Sequence, residues 1–171
     1  MKKEKVINLV NTLTTPIPVY PIVWGKLKQT FPDHGQAGIS FHKNVFSERF
    51  LYRNNAGKLI GVAEYFSADR IEGVTKGDIN ICVDPDEMGK GIGTKLIKEV
   101  TKGKDINFEQ QKCSAFGYKL VRSYLKGKGY KYHEDENVEQ QLKVLLELSP
   151  TWGYTKESRE YMLRHLGTEL Q

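Results

Sequence analysis

The stretch Val83-Asp84-Pro85-Asp86-Glu87-Met88-Gly89-Lys90-Gly91-Ile92-Gly93-Thr94-Lys95-Leu96 decides how the rest of this sequence is interpreted. A strand is predicted to end at Pro85, because proline lacks an N–H and fixes φ. Three glycines at alternate positions follow, and an amphipathic helix begins among them. The first N–H groups of a helix have no partner within it, and the helix dipole places partial positive charge there. The segment therefore predicts a site for a phosphate or pyrophosphate group.

Two other phosphate motifs fit this segment less well. A P-loop, G-x-x-x-x-G-K-[ST], would need glycine where Thr94 stands when it is counted from Gly89. A dinucleotide fingerprint, G-x-G-x-x-G, matches Gly89 and Gly91 but also needs glycine at position 94. A glycine-rich turn that serves only close packing of the helix remains the alternative.

Hydrophobic periodicity predicts strands and helices on both sides of this loop. On the N-terminal side we expect a short helix at Pro21–Phe31 that Pro32 stops, then strands at Arg49–Arg53, Lys58–Phe66 and Asp78–Val83, the first two joined by the turn Asn54–Gly57. On the C-terminal side we expect a helix from Ile92 to Val100, a strand at Ile106–Phe108, a helix from Phe116 to Leu125, strands at Tyr130–His133 and Gln141–Leu148, and a helix at Thr155–Leu166. This order predicts a mixed α/β or α+β fold, not a bundle or a sandwich.

Composition limits the class of protein. The chain has 171 residues, 39% of them hydrophobic, which suits one domain with a sizeable core. Its apolar runs are too short to span a bilayer, and polar residues interrupt the basic N-terminus, so we expect neither membrane association nor a signal peptide. Two cysteines without framework spacing indicate free thiols in a reducing, cytoplasmic compartment, and four scattered histidines suggest no metal site.

Charge is distributed unevenly along the sequence. Residues 88–131 carry 11 Lys/Arg against 3 Asp/Glu, within a chain whose formal net charge is +5. A basic stretch that begins at a phosphate-loop candidate favours a phosphate-bearing ligand, although most such stretches are solvated helix faces. The remaining residues carry a negative excess, which would suit a cationic amine as substrate.

The loop resembles the signature of the GNAT superfamily of acyl-CoA-dependent N-acetyltransferases. That signature, [RQ]-x-x-G-x-[GA] after a V-x-P strand end, falls here on Met88, Gly91 and Gly93. A looser resemblance extends from about Arg49 to Leu148 and includes Lys128–Tyr130, which is similar to a (K/R)-x-G-F helix ending. The resemblance implies one domain over 1–171, with a core at about 45–148 and an extension at 150–171. It also implies a central twisted, splayed, mostly antiparallel sheet flanked by helices, with an extra C-terminal helix.

The resemblance further implies where acetyl-CoA binds and that no metal takes part. The cofactor would lie between the strands at Asp78–Val83 and Ile106–Phe108, with its pantetheine arm paired to main-chain groups near Cys82 and Val83. Its pyrophosphate would contact backbone N–H groups of the loop residues Met88, Gly89, Lys90, Gly91, Ile92, Gly93 and Thr94. Two positions depart from the family pattern: Met88 replaces Arg or Gln, and Leu125, next to Tyr124, replaces a tyrosine that protonates the leaving thiolate.

Transfer to an amine needs a group that takes the amine's proton and a group that protonates the thiolate. Glu64, on an otherwise apolar strand face, is a candidate base, and Asp78 and Asn80 are candidates for holding water. Tyr124 is a candidate acid, as is Tyr118. The alternatives are a structural hydrogen bond for Glu64, surface exposure for Asp78 and Asn80, and packing for both tyrosines. Cys82 can be a nucleophile or a small buried side chain.

The sequence thus predicts an N-acetyltransferase that acts on a primary amine by direct attack in a ternary complex. The acceptor can be a small molecule, a protein or charged tRNA, and a homodimer is possible. Two alternatives stay open: an acyl-CoA-binding module without turnover, and a nucleic-acid-directed or tRNA-directed protein that uses the basic stretch 88–131.

Overall fold

The computed structural model describes residues 5–14, 20–31, 34–69 and 75–148, together with Lys156, Glu160 and Arg164; of residues 20–23 it describes only the backbone. In chain order the elements are β1 (Val6–Asn8), α1 (Tyr20–Thr30), β2 (Gly38–Lys43), β3 (Ser47–Arg53), β4 (Leu59–Phe66), β5 (Ile79–Val83), a 3₁₀ turn (Pro85–Glu87), α2 (Ile92–Thr101), a 3₁₀ turn (Phe108–Gln110), α3 (Ala115–Gly127), β6 (Lys131–His133) and α4 (Val138–Glu147). They fall into a central unit, Pro21–Asn107, and a terminal unit formed by Met1–Tyr20 and Phe108–Gln171.

The central unit contains a four-stranded antiparallel sheet in the order β2-β3-β4-β5. The turn between β3 and β4 has the predicted chemistry, because the Asn54 side chain accepts hydrogen bonds from the N–H groups of Ala56 and Lys58, both at 3.0 Å. Gly57 has φ +84°, which glycine adopts without steric cost. This local chemistry sets the register of the hairpin.

The two faces of this sheet have different neighbours. A Cβ built on Gly61 would come within 2.7 Å of Leu96 and 2.9 Å of Ile92, so Gly61 faces α2. Alternation along β4 then directs Val62 to the opposite face, where it packs with Trp24 of α1. Helix α2 buries its predicted stripe, Ile92, Leu96, Ile97 and Val100. The predictions of β3, β4, β5, α1 and α2 are confirmed, apart from Pro32, which lies outside the described residues.

In the terminal unit, β1 pairs in parallel with β6. In the chain, α3 precedes β6 and α4 follows it. Helix α3 begins at Ser114, whose hydroxyl accepts a hydrogen bond from Gly117 N–H. Its Arg122 is 2% exposed and binds the carboxylates of Glu134 and Glu139. Tyr118 donates to the same Glu134 at 2.5 Å, so Tyr118 and Arg122 share this carboxylate.

Two strand predictions are wrong. Residues 141–147 belong to α4, and Leu148 is its C-cap: Leu142 and Leu146 are buried, whereas Val144 and Leu148 are 45% and 47% exposed, so the buried positions repeat with the period of a helix. Ile106–Phe108 forms no strand. Asn107 makes one backbone bond to Gly77 O, and a 3₁₀ turn begins at Phe108.

The mixed α+β class and the mostly antiparallel sheet flanked by helices are confirmed. Strands β1 and β2 were not predicted, because their hydrophobic alternation is short. Of the expected helix Thr155–Leu166, only Lys156, Glu160 and Arg164 are described; they are helical and exposed, and the rest lies outside the described residues.

Candidate functional site

The chain leaves β5 through a turn that is fixed by Asp84. This carboxylate is 4% exposed, and its Oδ1 accepts a hydrogen bond from Asp86 N–H at 3.0 Å. Lys58, at the start of β4, approaches the other oxygen to 3.6 Å. A buried aspartate at the N-cap, followed by proline at the first helical position, is a favourable start for a short helix. The direction in which the chain enters the glycine loop is therefore set by groups on β4 and β5.

The glycine loop adopts a backbone that glycine permits and other residues disfavour. Gly89 and Gly91 have φ values of 85° and 81°. Gly91 is the N-cap of α2 and supplies no side-chain cap. A Cβ built on Gly91 would meet no atom within 4 Å, so the space in front of this residue is open.

The N–H groups that precede Lys95 at the start of α2 make no backbone hydrogen bond to a described residue. The first bond of the helix runs from Lys95 N–H to Gly91 O at 3.1 Å. The preceding N–H groups, those of Gly91, Ile92, Gly93 and Thr94, donate to no residue that the structure describes. Unpaired N–H groups at the positive end of a helix form an anion site. This is the geometry that a pyrophosphate-binding loop requires.

The side chains around the loop contribute less than its backbone. Met88 is 9% exposed and packs inward. Lys90 is exposed, and the carboxylate of Glu87, 2.8 Å from its Nζ, raises the pKa of Lys90 first by a hydrogen bond and then by its charge. Lys95 donates to the hydroxyl of Tyr52 at 3.2 Å. Both side chains lie near the N-terminus of α2, where a lysine would attract an anion.

Strand β5 is the last strand of its sheet among the described residues. Two hydrogen bonds to β4 fix the direction of its backbone groups: from Asp84 N–H to Ile60 O at 3.0 Å, and from Phe66 N–H to Asp78 O at 2.9 Å. In an antiparallel ladder these directions alternate, so the N–H and C=O of Cys82 point at β4 and those of Ile81 and Val83 point at the outer edge. Of the two residues predicted to pair with pantetheine, only Val83 directs its main chain outward.

Glu64 lies on the sheet face that α2 does not cover. Its Oε2 accepts hydrogen bonds from the Ser47 hydroxyl at 2.7 Å and from Nε and Nη2 of Arg49 at 3.2 and 2.9 Å. Its cross-strand neighbour on β5 is Asn80, which is exposed. Arg49 and Ser47 were not predicted as partners of Glu64. The signal was the hairpin register, which places Arg49 opposite Glu64.

Asp78 closes the turn that leads into β5. Its Oδ2 accepts a hydrogen bond from Thr75 N–H at 3.0 Å, and its Oδ1 is buried and has no hydrogen-bond partner among the described residues. Native proteins rarely leave a buried carboxylate oxygen without a donor, so this atom is suited to accept one from a ligand. The structure thus places Glu64 on β4, Asn80 on the adjacent strand β5 and Asp78 directly before β5, while Tyr124 belongs to the terminal unit.

Two tyrosines and a leucine occupy the predicted acid positions on α3. Tyr124 is half-buried and packs against Phe108 with ring centroids 5.8 Å apart. Tyr118 is 1% exposed, and burial, followed by its hydrogen bond to Glu134, raises the pKa of its hydroxyl far above the usual value. Leu125 is fully buried. Of these side chains, Tyr124 is the one whose exposure allows it to meet a substrate.

In the described ranges, no three His, Cys, Asp or Glu side chains are grouped as a metal ion requires. Every helix within these ranges is too short or too polar to cross a bilayer.

Comparison with known proteins gives a family match that includes the glycine loop. The model of the acetyltransferase (GNAT) family matches residues 18–112, which is more than half of the chain. The matched part contains the four-stranded sheet, the glycine loop and α2, and it ends before α3. No curated protein and no solved structure matches the chain.

Proposed function

The chain belongs to the GNAT acetyltransferase family, and we therefore propose that it transfers the acetyl group of acetyl-CoA to a primary amine by direct attack within a ternary complex. The observation that carries this proposal is the row of N–H groups from Gly91 to Thr94, which donate to no described residue. A pyrophosphate placed there would accept several of these hydrogen bonds and meet the positive end of α2.

The proposed chemistry divides between binding and proton transfer. The loop and the outer edge of β5 hold the two ends of acetyl-CoA, which leaves the thioester near the start of β5. A protonated amine first loses one proton to a base, and the neutral nitrogen then forms a bond to the thioester carbonyl carbon. The C–S bond breaks, and the nitrogen loses a second proton. The thiolate receives a proton from an acid or from solvent. Glu64, directly or through water held by Asn80, is the proposed base.

The acceptor that best fits these residues carries a positive charge. Glu64 lies on β4 and Asp78 lies directly before the neighbouring strand β5, and one oxygen of Asp78 is buried without a donor among the described residues. A protonated amine would supply that donor before it loses its proton to the base. We therefore propose a cationic amine, such as a lysine side chain, a polyamine or an aminoglycoside, and a cytoplasmic site of action.

The first test uses a variant that blocks the anion site without weakening the helix. Glutamate is favoured in the first turn of a helix, so T94E keeps α2 folded while it places a negative charge among the N–H groups. We expect T94E to weaken acetyl-CoA binding by about tenfold or more, in line with the loss of one or two charge-assisted hydrogen bonds. The measurement is isothermal titration with acetyl-CoA.

The matched control is K98Q, which changes the net charge by the same amount on an exposed position of the same helix. It should alter the affinity less than about threefold, since surface charges act weakly at a distance. Wild-type protein that fails to bind millimolar acetyl-CoA, or equal losses in T94E and K98Q, would contradict the proposal. Thiol release from acetyl-CoA, measured across proteins, polyamines, aminoglycosides and aminoacyl-tRNA, then identifies the acceptor.

A second function, acyl-CoA binding without turnover, is favoured by Leu125. This residue is fully buried at the position where the family pattern places the acidic tyrosine. A chain of this kind would bind acetyl-CoA as expected and would release no thiol with any amine. The same acceptor screen therefore separates the two functions.

A further inference from the structure

Polar side chains form a row across the four-stranded sheet, on the face that α2 does not cover. The strand register places His42 opposite Arg49, Arg49 opposite Glu64, and Glu64 opposite Asn80. Directly opposite residues have their Cβ atoms close together, so neighbours in this row are within reach of one another. The row ends on β5, the strand proposed to hold acetyl-CoA.

Within this row, the carboxylate of Glu64 is held from one side only. Arg49 and Ser47 both belong to β3, and the three hydrogen bonds that they donate all reach Oε2. The other oxygen, Oε1, receives none of these bonds. An arginine that binds through two nitrogens fixes a carboxylate in direction as well as in position.

Arg49 and Ser47, which donate hydrogen bonds to Glu64, are fixed in turn by contacts with neighbouring residues. The guanidinium of Arg49 lies over the ring of Phe31 at 5.2 Å, which fixes its plane. The N–H of Ser47 donates to the side chain of Asn44 at 2.8 Å, and this bond fixes the backbone of β3 at the residue that carries the hydroxyl. The Glu64 side chain is 15% exposed, so it has little freedom to turn away.

We propose that Arg49 is a positioning residue for the reaction: it fixes Glu64 through Oε2 so that Oε1, which accepts no hydrogen bond from a described residue, can take the proton of the attacking amine, directly or through water. This inference rests on the proposed acetyl transfer and adds a residue to it. Arg49 touches neither acetyl-CoA nor amine in this account, and it acts only through the direction of the Glu64 carboxylate.

A second ion pair that includes a residue of β3 serves as the control for a purely structural role of Arg49. Lys104 binds Glu48 at 3.1 Å and lies over the rings of Phe50 and Tyr65. Since Phe50 and Tyr65 alternate with Arg49 and Glu64 along their strands, this pair lies on the opposite face of the sheet. Glu48 lies on β3, as Arg49 does, and the side chains of both ion pairs are mostly buried. The Lys104–Glu48 pair takes no part in the proposed chemistry.

The test compares R49Q, R49K and K104Q with the wild type, using the amine that gives the fastest thiol release. We expect kcat to fall by about 10- to 100-fold in R49Q, which is within the range that a positioned base contributes. R49K, which keeps the charge but loses one of the two hydrogen bonds, should recover part of that loss. The KM for acetyl-CoA should stay within about twofold in both variants, because neither changes the loop.

K104Q should lower the melting temperature by about 2–5 °C and leave kcat within about twofold. The role of Arg49 is overturned if R49K and R49Q keep the wild-type kcat, or if K104Q loses as much of kcat as R49Q does. Acetyl-CoA titration of the same proteins separates this outcome from a failure of the proposed function. A wild type that binds no acetyl-CoA contradicts the transfer itself, whereas intact binding with an unchanged kcat in R49Q contradicts only the role of Arg49.

Discussion

Cys82 and Glu64 lie near each other on the sheet face that α2 does not cover, and their interaction gives a measure of the site that does not depend on activity. Burial, and then the negative charge of Glu64, raises the pKa of the Cys82 thiol to about 11. A thiolate reacts with alkylating agents and a thiol does not, so the charge of Glu64 slows the reaction of Cys82. Cys82 is thus a small, unreactive side chain in this structure, and its raised pKa argues against a nucleophilic role.

Replacing Glu64 by glutamine should therefore speed the alkylation of Cys82. E64Q removes the negative charge, lowers the pKa of the thiol and increases the thiolate fraction at any pH below that pKa. We expect the rate with iodoacetamide at pH 9 to rise by about two- to fivefold, since burial, the larger cause, remains.

Cys113 is an internal control for this measurement. Burial alone raises its pKa to about 12, so its rate should not change in E64Q. Equal rate increases at both cysteines would indicate general loosening of the fold, and no increase at Cys82 would mean that the Glu64 carboxylate does not act on it.

At the scale of elements, the loop and its helix were predictable because the relevant signals are local. Glycine, proline and the spacing of Ile92, Leu96 and Val100 act within a few residues. Helix α4 was mistaken for a strand because Leu142, Val144, Leu146 and Leu148 alternate, while Leu142 and Leu146 also satisfy a helical spacing. In the structure only Leu142 and Leu146 of these residues are buried. This difference depends on tertiary packing, which the local pattern does not show.

The position of α2 depends on the absence of a side chain at Gly61. G61A would bring a methyl group within 3 Å of Leu96 and Ile92, so the helix that carries the loop must shift. We expect a loss of about 1–3 kcal/mol in the free energy of unfolding, as for other overpacked cores, and weaker acetyl-CoA binding. Chemical denaturation and titration of the same variant measure the two effects.

G25A is the control for this substitution. Gly25 lies in α1, and a Cβ there would meet no atom within 4 Å. Alanine is the better helix former, so G25A should raise stability by about 0.5–1 kcal/mol and leave binding unchanged. If G61A is as stable as the wild type and binds acetyl-CoA equally well, α2 is not seated on the sheet as described.

At the scale of the whole molecule, the family match, the four-stranded sheet and the glycine loop all lie in or around the central unit. The cofactor loop could be predicted from the sequence because a few adjacent residues form it. The partners of Glu64 are separated from it by 15 and 17 residues, and they required the strand register. The single-domain organisation over 1–171 and the homodimer remain predictions, as do the roles of Asp78 and Tyr124.

The central claim is that the N–H groups from Gly91 to Thr94 bind the pyrophosphate of acetyl-CoA, and NMR of ¹⁵N-labelled protein measures these groups directly. On titration with acetyl-CoA, we expect the amide resonances of Gly91, Ile92, Gly93 and Thr94 to shift most, while that of Gly103, at the other end of α2, stays nearly unchanged. Binding that saturates while the four resonances keep their positions would contradict the account.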